Sequence, residues 1–326
     1  MNVKKHVLII VGIAVLIGIA LWAWPAKKPS EPKKVSATFV ATGAEGLLKY
    51  VIEQLKLDKQ HGLDLTIQAV EPGEVARRTI AREVDVGALS PIELVQSQQA
   101  GRDIRALAPL LTAIHGLLVK TNSKYRTIDD LKGKKIAVLP KATAGYQSMA
   151  LELKILGIDL EKEFSLTFGG IPDILSSLKG GEVDAAFLPD PLAAQLIVSG
   201  QYRELLNLAD LWKEKYNIPY FFNARAAYAD WIAANRDTAE HFAAMRIEAS
   251  KQIKDHPEIV AKYAREVVGA KTEAEVNFIV ERLSKAFPSR WDDEFIDNAV
   301  FVMQKAAEFG FIKEIPRNPR ELFIKF

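Results

Sequence analysis

The chain contains no cysteine. Disulfides, thiolate metal sites, a cysteine nucleophile and a lipidated N-terminal cysteine are therefore excluded, while the compartment stays open. Histidine is scarce: five residues (His6, His61, His115, His241 and His256), no two at the H-x-x-x-H spacing of a zinc-binding helix. There is no G-x-S-x-G elbow, no P-loop and no G-x-G-x-x-G turn, so no nucleophilic, phosphoryl-transfer or dinucleotide chemistry is announced. No cofactor and no metal are expected. Net charge is small, +2 over 326 residues, and six lysines against Glu31 alone fall in residues 1–34. The remainder is slightly acidic, which removes the electrostatic case for nucleic acid. Its densest basic run, Lys132-Gly133-Lys134-Lys135, reads as a solvated turn.

Long apolar runs are also few. One stands out, the 18 residues Val7–Trp24 behind Lys4 and Lys5. At 1.5 Å per residue it spans a bilayer core, and it exceeds the usual signal-peptide core. No A-x-A triplet follows it, so a retained membrane anchor is favoured over a cleaved signal; either implies export. Lys27, Lys28, Lys33 and Lys34 after the run oppose that orientation under the positive-inside rule. Residues 25–34, rich in Pro and Lys, read as a stiff spacer.

The body carries an internal echo. Glu83-Val84-Asp85-Val86-Gly87-Ala88-Leu89-Ser90-Pro91 and Glu182-Val183-Asp184-Ala185-Ala186-Phe187-Leu188-Pro189-Asp190-Pro191 share an acidic start, a short apolar run and a capping residue before proline. Each apolar run is too short for a helix and lacks alternation, as in a buried parallel strand. Ser90 and Asp190 read as helix caps, with Pro91 and Pro191 at the first helical position. The pattern strand, capped helix, strand, helix, strand, capped helix occurs twice, about 100 residues apart, with Thr42 and Thr143 as matching caps.

Strands are expected at 35–41, 63–70, 84–89, 104–111 and 114–120 in the first half. Helices fall at 47–60, 74–82 and 92–100. The second half repeats with strands at 136–139, 164–168, 183–188 and 202–208 and helices at 146–156, 171–178 and 192–199. Residues 220–228 read as the chain returning to the first lobe, and 230–309 as helices broken at Pro257 and Pro288. The fold class is α/β: two Rossmann-like lobes, a hinge of two crossovers and a helical C-terminal buttress. Residues 35–112 and 225–326 form lobe 1 and residues 113–224 form lobe 2.

This order resembles the substrate-binding proteins of ABC importers in the nitrate/sulfonate/taurine/thiamine-precursor family, which have the type 2 periplasmic binding protein fold. Its phrases are His61-Gly62-Leu63-Asp64-Leu65, the run Ile128–Val138, Pro140-Lys141-Ala142-Thr143-Ala144 and the two echoing stretches. Two departures stand out: there is no lipobox cysteine, and Pro189 stands where many relatives place Trp before the acid-Pro pair. The resemblance implies a non-enzymatic solute-binding protein outside the cytoplasm. Its partners would be a small-molecule ligand, permease subunits with their ATPase, and the membrane through residues 7–24.

The family's ligand positions fall on Thr42, Gly43, Ser90, Pro91, Thr143, Ala144 and Asp190. His115, near the first crossover, and Tyr146 join them as candidates, with Phe187, Tyr220, Phe221 and Phe222 as an aromatic wall. Helix N-termini after Thr42, Ser90 and Thr143 suit an anionic or carbonyl-bearing end, and Asp190 suits an amine or ring N–H. An aminoalkyl sulfonate or a pyrimidine of the thiamine-precursor type meets both demands. An enzyme on the same scaffold, with His115 and Asp190 as an acid/base pair, or a ligand sensor remains an alternative.

Overall fold

The computed structural model describes residues 31–40, 43–112 and 115–326. The apolar run 7–24, the Thr42 cap and the first crossover at residues 113 and 114 lie outside the described residues. Among the described residues, no helix is long and apolar enough to cross a membrane.

Lobe 1 opens with β1 (Lys33–Val40), α1 (Ala44–Leu55), β2 (Leu63–Val70), α2 (Pro72–Ile80), β3 (Gly87–Leu89), α3 (Pro91–Gln99) and β4 (Ile104–Thr112). β1 and β2 pair in parallel along their whole length, Lys33 opposite Leu63 through Val40 opposite Val70. The expected helix over 47–60 is instead broken at Lys56, which is left-handed at φ 51°. The strand expected over 84–89 shrinks to Gly87–Leu89. Val86 bridges to Ala37 in parallel, but β3 itself runs antiparallel to its partner.

Lobe 2 holds β5 (His115–Lys120), β6 (Lys135–Val138), α4 (Ala144–Lys154), β7 (Ser165–Phe168), α5 (Ile171–Gly180), β8 (Ala185–Pro189), α6 (Leu192–Val198) and β9 (Tyr202–Asn207). Its sheet order is β7-β6-β8-β5-β9. β6 is parallel to β7 and β8, while β5 is antiparallel to β8 and β9. The helix α7 (Leu208–Tyr216) follows directly and was not expected from the sequence. Its Trp212 is fully buried, with ring centroids 4.8 Å from Tyr220 and 5.8 Å from Phe301.

The chain then returns to lobe 1 as β10 (Phe221–Tyr228), the central strand of the order β3-β10-β4. Every side chain of β10 but Tyr228 is buried, which is why this stretch reads as apolar with no alternation. The rest is helical: α8 (Arg236–Asp255), α9 (Pro257–Tyr263), α10 (Glu273–Ser284) and α11 (Asp293–Glu308). Pro257 starts α9 at a position where its missing N–H costs nothing, and Pro288 falls in the link before α11. α8 and α11 share one buried apolar core with the lobe 1 strands. At its edge Phe221 packs between the rings of Trp291, Phe295 and Phe323.

Candidate functional site

The strand ends of both lobes meet at one cavity of about 640 Å³, counted to its open mouth. Gly43, Ala44 and Glu45 line it from α1, with Pro72, Val75 and Ala76 from α2. Lobe 2 answers with His115, Leu139, Thr143, Ala144, Gly145 and Pro189. Phe222 and Asn223 come from β10, and Glu93 from α3. The lobes approach closely across the mouth. A Cβ on Gly73 would lie 3.7 Å from Thr143 Cγ2, and one on Gly43 3.6 Å from the Asp190 carbonyl.

Two helix starts supply donors. Gly43, at φ 90°, turns the chain into α1 without a side-chain cap. The first N–H groups of α1, on Ala44 and Glu45, have no acceptor among the described residues. In lobe 2, Thr143 Oγ1 accepts from Tyr146 N at 3.2 Å and donates to the Pro140 carbonyl. The N–H groups of Ala144 and Gly145 have no acceptor among the described residues. Gly145 keeps the approach close: a Cβ there would lie 2.7 Å from Leu139 Cδ1, which would have to shift, and 3.4 Å from His115 Nε2.

Acceptors sit elsewhere in the same cavity. Ser90 and Glu93 form a reciprocal capping box at the start of α3, Ser90 N donating to Glu93 Oε2 at 2.7 Å. The other carboxylate oxygen, Oε1, has no hydrogen-bond partner among the described residues. Burial pushes the Glu93 carboxyl up to about 7, against the pull of the Ser90 N–H. Asn223 Oδ1 is buried and unpaired. Glu45 differs: its carboxylate is neutralised by Arg225, whose Nη2 donates to Oε2 at 2.8 Å and whose Nη1 donates to the Thr38 carbonyl at 2.6 Å. No Lys or Arg lines the cavity among the described residues.

His115 stacks obliquely on Phe222, with ring centroids 5.3 Å apart. Burial lowers its pKa to about 4, so the ring is neutral, and Nδ1 is unpaired.

Of the sequence candidates, Gly43, His115, Thr143 and Ala144 line this cavity. Ser90 and Pro91 do not; the Ser90 hydroxyl is consumed by its own helix and Glu93 takes the place at the wall. Tyr146 points away and donates to Glu161 Oε1 at 2.8 Å. Of the expected aromatic wall only Phe222 is present.

Asp190 is the largest displacement. Helix α6 starts at Leu192 as expected, but Pro191 rather than Asp190 takes the cap position, and Asp190 Oδ1 accepts from Ala194 N at 3.1 Å. The other oxygen, Oδ2, accepts from Arg282 Nε at 2.8 Å, so the carboxylate is drawn off the cavity. An acid/base pair of His115 with Asp190 is not formed. Sequence reasoning missed Glu93, Glu45, Asn223 and Arg225. Glu93 alone had a local sign, since Ser90-Pro91-Ile92-Glu93 spells a capping box.

Residues 38–251 match the family model described as "ABC transporter, phosphonate, periplasmic substrate-binding protein". The chain belongs to this family. A putative aliphatic sulfonates-binding protein of Escherichia coli strain K12 is 27% identical over 130 residues. That match covers 39% of this chain and 40% of the relative, so the chain spans well under half of that curated protein.

The chain is also similar to the alkanesulfonate-binding protein SsuA from Xanthomonas axonopodis pv. citri, solved bound to MOPS. The TM-score is 0.72 at 17% identity, over 91% of this chain and 100% of that one. The periplasmic nitrate-binding protein NrtA from Synechocystis PCC 6803 gives 0.67 at 14%, over 90% and 85%. At such identities these structures establish the fold: two α/β lobes of the type 2 periplasmic binding class.

Proposed function

We propose that this chain is the extracytoplasmic solute receptor of an ABC importer. It captures a small aminoalkyl sulfonate by hinge closure and hands it to permease subunits coupled to an ATPase. One observation carries the reading: the cavity has backbone donors from both lobes, acceptors on lobe 1 and, among the described residues, no cationic side chain. A sulfonate end lies between the starts of α1 and α4, where N–H groups without an acceptor among the described residues and the positive helix ends favour an anion. An ammonium end lies at Asn223 Oδ1, buried and unpaired among the described residues, and at the Glu93 carboxylate beside it on the cavity wall. Because α1 and α4 belong to different lobes, a bound sulfonate stabilises the closed arrangement over the open one.

The relatives' names support the sulfonate part, and the cavity itself supports the amine. A second reading, a pyrimidine of the thiamine-precursor type, draws on the Phe222–His115 pair as a platform for a flat ring. Anchoring through residues 7–24 belongs to the proposal too. No turnover is expected: solute recovered after incubation is chemically unchanged.

Calorimetric titration of the full chain with 2-aminoethanesulfonate and with ethanesulfonate tests the reading. The amine is expected to improve affinity by about 10- to 100-fold, the worth of a charge-assisted hydrogen bond in a buried site. Equal affinities would remove the ammonium subsite, and binding of neither, with a pyrimidine bound instead, would transfer the site to the second reading.

A further inference from the structure

Arg282 lies outside the cavity, and solute contact makes no use of it. It sits near the end of α10, which is tied to lobe 1 and also lies against α6 of lobe 2. Val276, Ile279 and Leu283 are buried in the core shared with the lobe 1 strands. Just beyond the helix, the Ala286 carbonyl accepts from Thr112 N at 3.0 Å, at the end of β4.

Yet the guanidinium reaches the other lobe. Nε donates to Asp190 Oδ2, and Nη1 and Nη2 donate to Glu204 Oε2 and Oε1, all three at 2.8 Å. These side chains are 14%, 5% and 19% exposed in the order Arg282, Asp190, Glu204, so solvent screens the contact little. A planar fork gripping one carboxylate with two nitrogens and a second with the third is geometry that lysine does not reproduce.

Both acids stand directly behind the cavity wall. Asp190 follows Pro189, which lines the cavity. Glu204 fills the space beside Gly116, where a Cβ would meet its Oε1 at 2.1 Å, and Gly116 follows the wall residue His115. β5 and β8 pair at this point, His115 opposite Pro189. A second tie runs alongside. After α9 the helix widens to one π turn over Ala264–Val268, and the Val268 carbonyl accepts from Gln195 Nε2 of α6 at 2.9 Å.

We infer that Arg282 is a positioning residue for capture: a latch carried on lobe 1 that engages Asp190 and Glu204 of lobe 2 as the cleft closes. Closure then rests on a contact behind the cavity wall that does not touch the solute, and solute retention depends on it. The retention part rests on the solute-receptor reading; the closure part does not.

The absence of cysteine makes the test clean, since two introduced cysteines are the only sites labelled. Nitroxides at Gln54→Cys in lobe 1 and Ser176→Cys in lobe 2 report lobe separation by pulsed electron resonance on the full chain without solute. Arg282→Lys keeps the charge and loses the fork. It is expected to lower the closed-to-open ratio by about tenfold while the melting midpoint stays within a few degrees. The neutral triple variant Arg282→Gln, Asp190→Asn, Glu204→Gln leaves no buried charge unpaired and should open the cleft likewise; it decides the matter if Arg282→Lys fails to fold.

With 2-aminoethanesulfonate as probe, the dissociation rate of Arg282→Lys should rise about tenfold with association changed less than about threefold. Unchanged distance distributions in both variants would overturn the latch and make Arg282 a fixed brace. If the wild-type chain does not bind the aminosulfonate, the receptor reading falls, while the solute-free distances still decide the latch.

Discussion

The two echoing junctions, Leu89-Ser90-Pro91 and Pro189-Asp190-Pro191, look interchangeable in sequence and diverge in chemistry. At the first, the cap hydroxyl and the Glu93 carboxylate satisfy one another, and the spare carboxylate oxygen is left at the cavity. At the second, the cap position is taken by Pro191, and Asp190 turns outward to Arg282. The lesson is physical. A side chain that caps a helix has spent its acceptor on backbone N–H groups, so it is a poor prospect for ligand contact. What the caps leave free at the cavity is Glu93 on one side and the N–H groups of Ala144 and Gly145 on the other.

The sharpest way to break the comparison is Asp190→Ala. It leaves Arg282 with one of its two partners in a poorly screened place, and should cost about 2–3 kcal/mol in urea unfolding. A loss below about 0.5 kcal/mol would mean the second junction is no more committed than an exposed cap.

Next comes Glu93→Gln. The amide oxygen still accepts from Ser90 N, so stability changes by less than about 1 kcal/mol. Affinity for 2-aminoethanesulfonate should fall about 10- to 100-fold by calorimetry, with ethanesulfonate unaffected. The same group sets a pH dependence. Its carboxyl titrates at about 7 in the free protein, and an ammonium beside it favours the ionised form, so binding releases a proton below that pH. Affinity for the amine is therefore full above about pH 7 and weakens as pH falls, by up to about tenfold per unit. Ethanesulfonate should show no such slope.

The smallest effects belong to the caps. Ser90→Ala and Thr143→Val each remove one N-cap bond and should cost about 1 kcal/mol of stability. Thr143→Val also loosens the start of α4 and weakens sulfonate binding; Ser90→Ala loosens Glu93 and weakens only the amine preference. Competition titration with the two sulfonates separates the two variants.

Much of the architecture was legible because it is written locally. Short apolar or alternating runs, Gly and Pro punctuation and Ser/Thr caps placed the strands β1, β2 and β4 to β9 within a residue or two. The α7 helix escaped because its buried face rests mainly on Leu208 and Trp212, too few positions to show a 3.6-residue period. β3 was overestimated because Val84 and Val86 look like strand residues but only Val86 reaches a partner, through its bridge to Ala37. The cavity's charge balance was not readable at all. Arg225 meets Glu45 across 180 positions, and Arg282 meets Asp190 across 92, so no window of sequence contains either pair. Without those partners, Asp190 looks available and Glu45 looks charged.

The most direct test of the account is the structure of the full chain with bound 2-aminoethanesulfonate. The account predicts the sulfonate between the N–H groups of Ala44–Glu45 and Ala144–Gly145, with the ammonium on Glu93 and Asn223. A sulfonate held elsewhere, or an ammonium on Asp190 with Arg282 turned away, would contradict it.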